Sequence, residues 1–259
     1  MELAKQYLER AIRKDTPALL AKHYLFRDLD ETVVDRIAAL AVTRRAKAGE
    51  VLFLKGDEGD TLYSVVSGQV RISTSGPGGR TVILNVMGPG DVFGEIALLD
   101  GMPRTADAIV IVPTELITIA RRGFIALLER EPSLTIHLLK LICERLRRTS
   151  EQVEDSVLLP VPGRLAKRLL SMADVDGEVV SNGVRVRLQP SQSELGQMLG
   201  ISRVCINKHL QRWRKRGWIS LTRGHVIICN REALRGLIDE SCDEWTHRVH
   251  GTPHPVQIG

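Results

Sequence analysis

Three regimes of hydrophobic patterning follow one another along the chain. In residues 2–13, Leu3, Tyr7, Leu8, Ala11 and Ile12 recur at helical steps, and Asp30 stands where it can cap a second helix running to Leu40. From Val42 to Ala120 the period changes. Short β-prone runs occupy Val51–Leu54, Thr61–Val66, Val70–Thr74, Val82–Val86, Ala106–Val112 and Glu115–Ile119. Turns separate them at Gly56-Asp57, Gly59-Asp60, Ser67-Gly68, Gly78-Gly79 and Gly88-Pro89-Gly90. Many short strands at this spacing predict an all-β sandwich or barrel. From Pro132 to about Val157 the period is helical again. Leu139, Ile142, Leu146, Thr149, Val153 and Ser156 alternate at three- and four-residue steps, the seam of a helix that pairs with a second copy.

The stretch Leu158-Leu159-Pro160-Val161-Pro162 interrupts that helix, because proline lacks an N–H and its ring crowds the preceding turn. It reads as a hinge. A helix over Gly163–Ala173, a turn at Val175–Gly177 and an edge strand at Val184–Leu188 follow. Pro190–Gly217 then reads PSQSELGQMLGISRVCINKHLQRWRKRG. Ser191 and Glu194 form a capping box, Gly200 ends the first helix, and Ser202 starts the next. Two short helices across a Gly-containing turn predict a helix-turn-helix. Trp218–Leu221, Arg223-Gly224 and Val226–Cys229 add a hairpin wing. A last helix lies near Arg231–Asp239. The tail, with His247, His250 and His254 spread through it, reads as disordered rather than as a metal site.

Charge sharpens the division. Residues 160–224 carry twelve Lys and Arg against four Asp and Glu, a surplus larger than the +5 of the whole chain of 259 residues. A basic C-terminal part on a slightly acidic body points to a polyanion partner for that part alone. No apolar run reaches the ~20 residues of a membrane span, and the charged N-terminus is not a signal peptide, so a cytoplasmic location is expected. Cys143, Cys205, Cys229 and Cys242 lack metal-ligand spacing, and no Cys or His lies between Val42 and Ala120. Zinc, iron–sulfur and haem chemistry are therefore not expected. With no nucleophile–base pair, neither is an enzyme.

The densest chemistry lies in FGEIALLDGMPRTA, Phe93 to Ala106. Gly94 lets backbone approach a ligand, Glu95 accepts hydroxyl protons, and Arg104 offers a planar fork that fits a phosphate. A helix start at Ile96–Leu99 would aim backbone N–H groups at an anion. The string resembles the phosphate-binding cassette of cyclic-nucleotide-binding domains, and the resemblance covers the whole β region. It implies a jelly roll in which Glu95 takes the ribose 2′-OH and Arg104 the cyclic phosphate. Gly94, Ile96 and Thr105 complete the cradle.

The stretch RLRRTSEQV resembles the long helix of the catabolite-activator group of the CRP/FNR family. That implies that Arg145 pairs with Glu95, while Thr149 contacts the base from its own subunit and Ser150 from the partner. The region 160–235 resembles the winged helix-turn-helix of the same family. The second helix should enter the major groove by its N-terminus. Arg203 is the best base reader, with Val204, Asn207 and Lys208 on the same face. Ser191, Gln192, Ser202 and His209 are candidate phosphate contacts. The chain departs from the family pattern here: Val204 stands in place of a glutamate and Lys208 in place of an arginine, so a contact that could accept from cytosine N4 is lost.

The expected fold is therefore α+β: N-terminal helices (1–41), a cyclic-nucleotide-binding β jelly roll (42–130), a long dimerisation helix (131–157), a hinge (158–162), a winged helix-turn-helix (163–240) and a tail (241–259). The expected function is a homodimeric transcription regulator with cAMP as allosteric ligand. It would bind double-stranded DNA at a two-fold symmetric site, with RNA polymerase as a further partner and no metal or membrane. Thr105 stands where cassettes that bind cGMP often carry threonine, whose hydroxyl could take the guanine 2-amino group, so the resemblance keeps cGMP, or both nucleotides, open as the alternative ligand. A cyclic-nucleotide-controlled kinase regulator or channel module that does not act on DNA is the more distant alternative.

Overall fold

The computed structural model describes residues 17, 20, 23, 25–187, 191–222 and 224–239. The expected helix over residues 2–13 and the tail from 241 lie outside them. The chain divides into two compact units, Met1–Leu146 and Arg147–Gly259.

The first unit is built on one antiparallel sheet. Helix α1 (Glu31–Leu40) leads into β1 (Ala41–Ala46), β2 (Val51–Phe53), β3 (Thr61–Ser75), β4 (Thr81–Met87), β5 (Val92–Phe93), α2 (Glu95–Asp100), β6 (Asp107–Ala120) and α3 (Arg121–Arg130). The order is β1-β6-β3-β4, with β2 on β6 and β5 on β3. The sheet interior is closed by Val65, Val70, Phe93, Ala108, Val110 and Leu116. A second core, with Phe26, Ile37, Leu62, Phe124, Leu134 and Leu138, joins helices to the sheet. Asp30 does sit at the N-cap of α1, but its side chain makes no capping bond; its backbone oxygen accepts from Val33 and Val34.

Four expected strands merge into two. Thr61–Val66 and Val70–Thr74 belong to one strand, β3, and Ala106–Val112 and Glu115–Ile119 to another, β6. Ser67-Gly68 is not a turn but a shift of register between them. Gly68 has φ +91°, and a Cβ there would lie 2.4 Å from Thr114 Oγ1 and 2.6 Å from the Pro113 oxygen. Only glycine permits that approach. Gln69 N donates to the Thr114 hydroxyl at 3.0 Å, which satisfies a ladder group the shift leaves over.

His23, 3% exposed, hydrogen-bonds through Nδ1 to the Ser64 hydroxyl. Burial lowers its pKa to about 4 from 6.5. A depressed histidine pKa means the unfolded chain binds the proton first, so stability is full above pH 6.5 and falls as pH drops toward 4. At pH 5 the expected loss is about 2 kcal/mol relative to pH 7.5. Urea unfolding at the two pH values, compared with His23→Gln, should show the excess slope only in the wild type.

Helix α4 (Pro132–Leu158) starts on the first core and runs into the second unit. Of the expected seam, Leu139, Leu146, Thr149, Val153 and Ser156 are exposed and Ile142 is half-buried. Ile142 packs on the first core. The exposed apolar residues are Ile136, Leu139, Leu146, Val153 and Val157. With Cys143 and Ser150 they follow unbroken three- and four-residue steps, so Ser150 lies on this stripe and Thr149 beside it. Helix α5 (Val161–Asp176) begins almost at once, with Pro160 as N-cap and Pro162 in its first turn. Proline there starts a helix as well as ending one. The break is thus two residues, Leu159 and Pro160, rather than the five expected. Lys167 Nζ reaches back to Asp155 at 2.5 Å.

The second unit continues with β7 (Glu178–Val180), β8 (Gly183–Arg187), α6 (Gln192–Leu199), α7 (Arg203–Lys215), β9 (Ile219–Thr222) and β10 (His225–Ile228); residues 231–239 are helical. The sheet order is β7-β8-β10-β9, so the strand at Val184 is interior rather than an edge. Leu165, Leu169, Leu195, Ile206, Leu210, Trp213 and Val226 fill the core. Gly196 lets α6 meet the turn before α7: a Cβ would lie 2.5 Å from the Ile201 oxygen.

Candidate functional site

Gly94, Glu95, Ile96, Arg104, Thr105 and Arg145 line one cleft, together with Phe53, Ile72, Met87 and Phe93. The cleft has a volume of about 70 Å³. Ile96, among its lining residues, is exposed.

Arg104 is 4% exposed. Its Nη1 donates to the Gly94 carbonyl and its Nη2 to the Thr61 carbonyl, both at 2.8 Å. The guanidinium lies 4.3 Å over the Phe53 ring. Nε is buried with no hydrogen-bond partner. Desolvation is the largest effect on this cation and pulls its pKa below the ordinary value, opposed by Tyr63, Asp60, Glu95 and Asp57. A buried cation with a spare donor and, among the described residues, no carboxylate in a salt bridge with it favours an incoming anion. Gly94, at φ +83°, makes the arrangement possible, because a Cβ would stand 2.7 Å from Arg104 Nη1.

Glu95 is 3% exposed and opens α2. Arg145 Nη1 donates to its Oε1 at 2.5 Å, and Arg145 Nη2 donates to the Val92 carbonyl. The carboxylate is thus neutralised and fixed from the long helix, which leaves its second oxygen as an acceptor for a hydroxyl. Thr149 and Ser150 are exposed on α4 and are not among the cleft-lining residues.

Several supporting groups escape sequence reasoning. Phe53, inside a run that reads as strand filler, is the aromatic floor under Arg104. Arg121 Nε donates to the Leu98 carbonyl at 2.7 Å, and its backbone N–H to Asp60 at 2.6 Å, holding the far end of α2. Gly59 backs the same helix: a Cβ would lie 2.2 Å from Ala97 Cβ. Only the position of Gly59 in a turn hints at this from sequence.

In the second unit the capping box at Ser191 forms as expected, with Glu194 N donating to Ser191 Oγ at 3.3 Å and Ser191 N to Glu194 Oε2 at 2.8 Å. Ser202 Oγ accepts from Cys205 N at 3.2 Å. Both hydroxyls therefore hold helix starts in place. Arg203, Val204, Asn207 and Lys208 share the exposed face of α7. Gln192 and His209 are half-buried. The His209 ring lies 6.3 Å from Trp213. Burial, then Arg212 and Lys208, lower its pKa.

Comparison with known proteins gives two family matches. The cyclic nucleotide-binding domain matches residues 43–131, and the Crp-like helix-turn-helix domain matches residues 163–237. A CRP-like cAMP-activated global transcriptional regulator of Mycobacterium tuberculosis is 33% identical over 216 residues, 83% of this chain and 96% of the relative. The cyclic AMP receptor protein of Thermus thermophilus is 31% identical over 216 residues, 83% of this chain and 95% of the relative. Two solved structures share the fold. The c-di-GMP-responsive global regulator CLP of Xanthomonas campestris has TM-score 0.69 and 23% identity, covering 77% of this chain and 99% of its own. A CooA variant of Carboxydothermus hydrogenoformans has TM-score 0.69 and 18% identity, covering 83% and 91%.

Proposed function

The chain belongs to the CRP/FNR family of cyclic-nucleotide-responsive, DNA-binding transcription regulators, and from that premise we propose that its allosteric ligand is cAMP. The observation that carries the reading is Arg104: a cation 4% exposed with an unpartnered Nε, beside a carboxylate that Arg145 fixes. Arg104 takes the cyclic phosphate and Glu95 the ribose 2′-OH. Backbone at Gly94 and Ile96, with the Thr105 hydroxyl, closes the cradle. The adenine meets Thr149 of one protomer and Ser150 of the other. The cAMP-activated relatives support adenine over guanine.

The active species is a homodimer joined through α4. Each α7 enters a major groove, Arg203 reading guanine and Asn207 and Lys208 flanking it. Ser191, Gln192, Ser202 and His209 face phosphates. Half-sites about 34 Å apart make the operator two-fold symmetric. The ligand acts by binding the DNA-competent arrangement more tightly, with the Leu159-Pro160 break absorbing the change in direction. RNA polymerase is the partner of the DNA-bound form, and the protein works in the cytoplasm.

Titration calorimetry with both nucleotides tests the ligand. The expected result is cAMP binding at least tenfold tighter than cGMP. In Thr105→Ala, cAMP affinity should fall only about three- to tenfold, the cost of one neutral hydrogen bond. Tight binding of cGMP alone in the wild type, abolished by Thr105→Ala, would replace cAMP by cGMP.

A further inference from the structure

Helix α7 carries one feature its scaffold does not need. Its buried side is complete: Ile206, Leu210 and Trp213 enter the core, and Cys205 is half-buried. Its start is fixed by the Ser202 cap. Yet Val204, in the first turn, is 78% exposed. It is the one exposed large apolar residue of α7. Valine has a modest helix propensity, and here no packing contact repays its exposed surface. Its neighbours on that face are Arg203, Asn207 and Lys208, all exposed and polar or cationic. A lone apolar spot in a basic face suits a base edge better than the apolar centre of a protein partner.

The major groove offers one kind of apolar group to a side chain of this type, the C5-methyl of a pyrimidine. Valine has no donor or acceptor, so hydrogen-bonding patterns are invisible to it. Arg203 and Val204 are consecutive on a helix that rises 1.5 Å per residue, and are rotated by about 100°, which directs them at neighbouring base pairs. Resting on the reading of α7 as the groove helix, we propose that Val204 is a specificity-determining residue that reads the C5-methyl group of a pyrimidine adjacent to the guanine taken by Arg203. Discrimination at that base pair is by the methyl alone. Thymine is favoured over uracil, and 5-methylcytosine over cytosine, by the same factor. Methylation of DNA at C5 therefore tunes operator affinity at this position instead of blocking it.

The test starts from a duplex selected from a random pool by the full-length protein with cAMP present. Each thymine in it is replaced in turn by uracil. One position per half-site should lose about fourfold in affinity, the value of one buried methyl, and about fifteenfold when both half-sites are changed. At that position 5-methylcytosine should exceed cytosine by the same fourfold. Val204→Ala, which keeps only one methyl of the contact, should lower both ratios while leaving preference for the Arg203 guanine intact. Equal binding of thymine and uracil at every position, or unchanged ratios in Val204→Ala, overturns the methyl reading and leaves α7 as the groove helix. Recovery of no preferred duplex at all overturns the groove-helix reading itself, and the methyl reading with it.

Discussion

Arg104→Ala lowers cyclic-nucleotide affinity about a hundredfold or more and removes ligand-stimulated DNA binding, while the protein stays folded. The size follows from burial. Arg104 is 4% exposed, so the proposed contact with a phosphate would be a charge-assisted pair shielded from water. Removing one member of such a pair costs about 2–5 kcal/mol, and each 1.4 kcal/mol is tenfold in affinity. The substitution also frees the Gly94 and Thr61 carbonyls that Arg104 now satisfies. A modest loss of thermal stability should accompany the loss of binding. Arg104→Lys separates the two effects, because an ammonium keeps the charge and loses the fork. It should recover part of the affinity. Calorimetry, with far-UV circular dichroism as the control of folding, reads both variants. Unchanged affinity in a folded Arg104→Ala protein would remove the cleft as the ligand site.

Much of this site was legible before any coordinates, and the reason is local. Gly94, Glu95, Ile96, Arg104 and Thr105 lie within twelve consecutive residues, so their order alone brings them together. Arg145 comes from 50 residues further on and was reached through resemblance. Its actual contact with Glu95 depends on α4 packing against the roll, which no short motif encodes. Phe53 and Arg121 were missed for the same reason: each acts through tertiary contact from a strand or helix that reads as ordinary. The merging of four short strands into β3 and β6 was hidden by glycine. Ser67-Gly68 looks like a turn, and only the 2.4 Å approach to Thr114 reveals a bend between two long paired strands. The helix-turn-helix was legible because capping chemistry is local: Ser191, Glu194, Gly200 and Ser202 mark both helices by residue type. Periodicity alone does not tell which of two adjacent apolar rows of α4 the roll already uses; Leu139, Leu146 and Val153 are common to the expected seam and the exposed row. Ile142 belongs to the roll.

The exposed row sets the second large effect. Leu146 lies at the middle of the exposed row, 65% exposed, with Leu139 on one side and Val153 on the other. Pairing with a second copy through this row sets Leu146 against an apolar partner, so Leu146→Arg places two like charges across a dry seam. The expected result is a folded monomer by sedimentation at micromolar concentration. Specific DNA affinity should fall at least a hundredfold, because each winged helix then binds its half-site without the effective concentration a linked partner supplies. Gln152→Arg adds the same charge at an exposed position outside the row, and should leave the dimer and its operator affinity unchanged. The row also decides how the ligand communicates. Ser150 is a member of it, between Leu146 and Val153, while Thr149 sits at its flank. On the proposed contacts of the base with Thr149 of one protomer and Ser150 of the other, pairing and ligand binding are expected to stabilise each other. Leu146→Arg should therefore weaken cAMP binding as well, by about tenfold, even though Leu146 does not line the cleft.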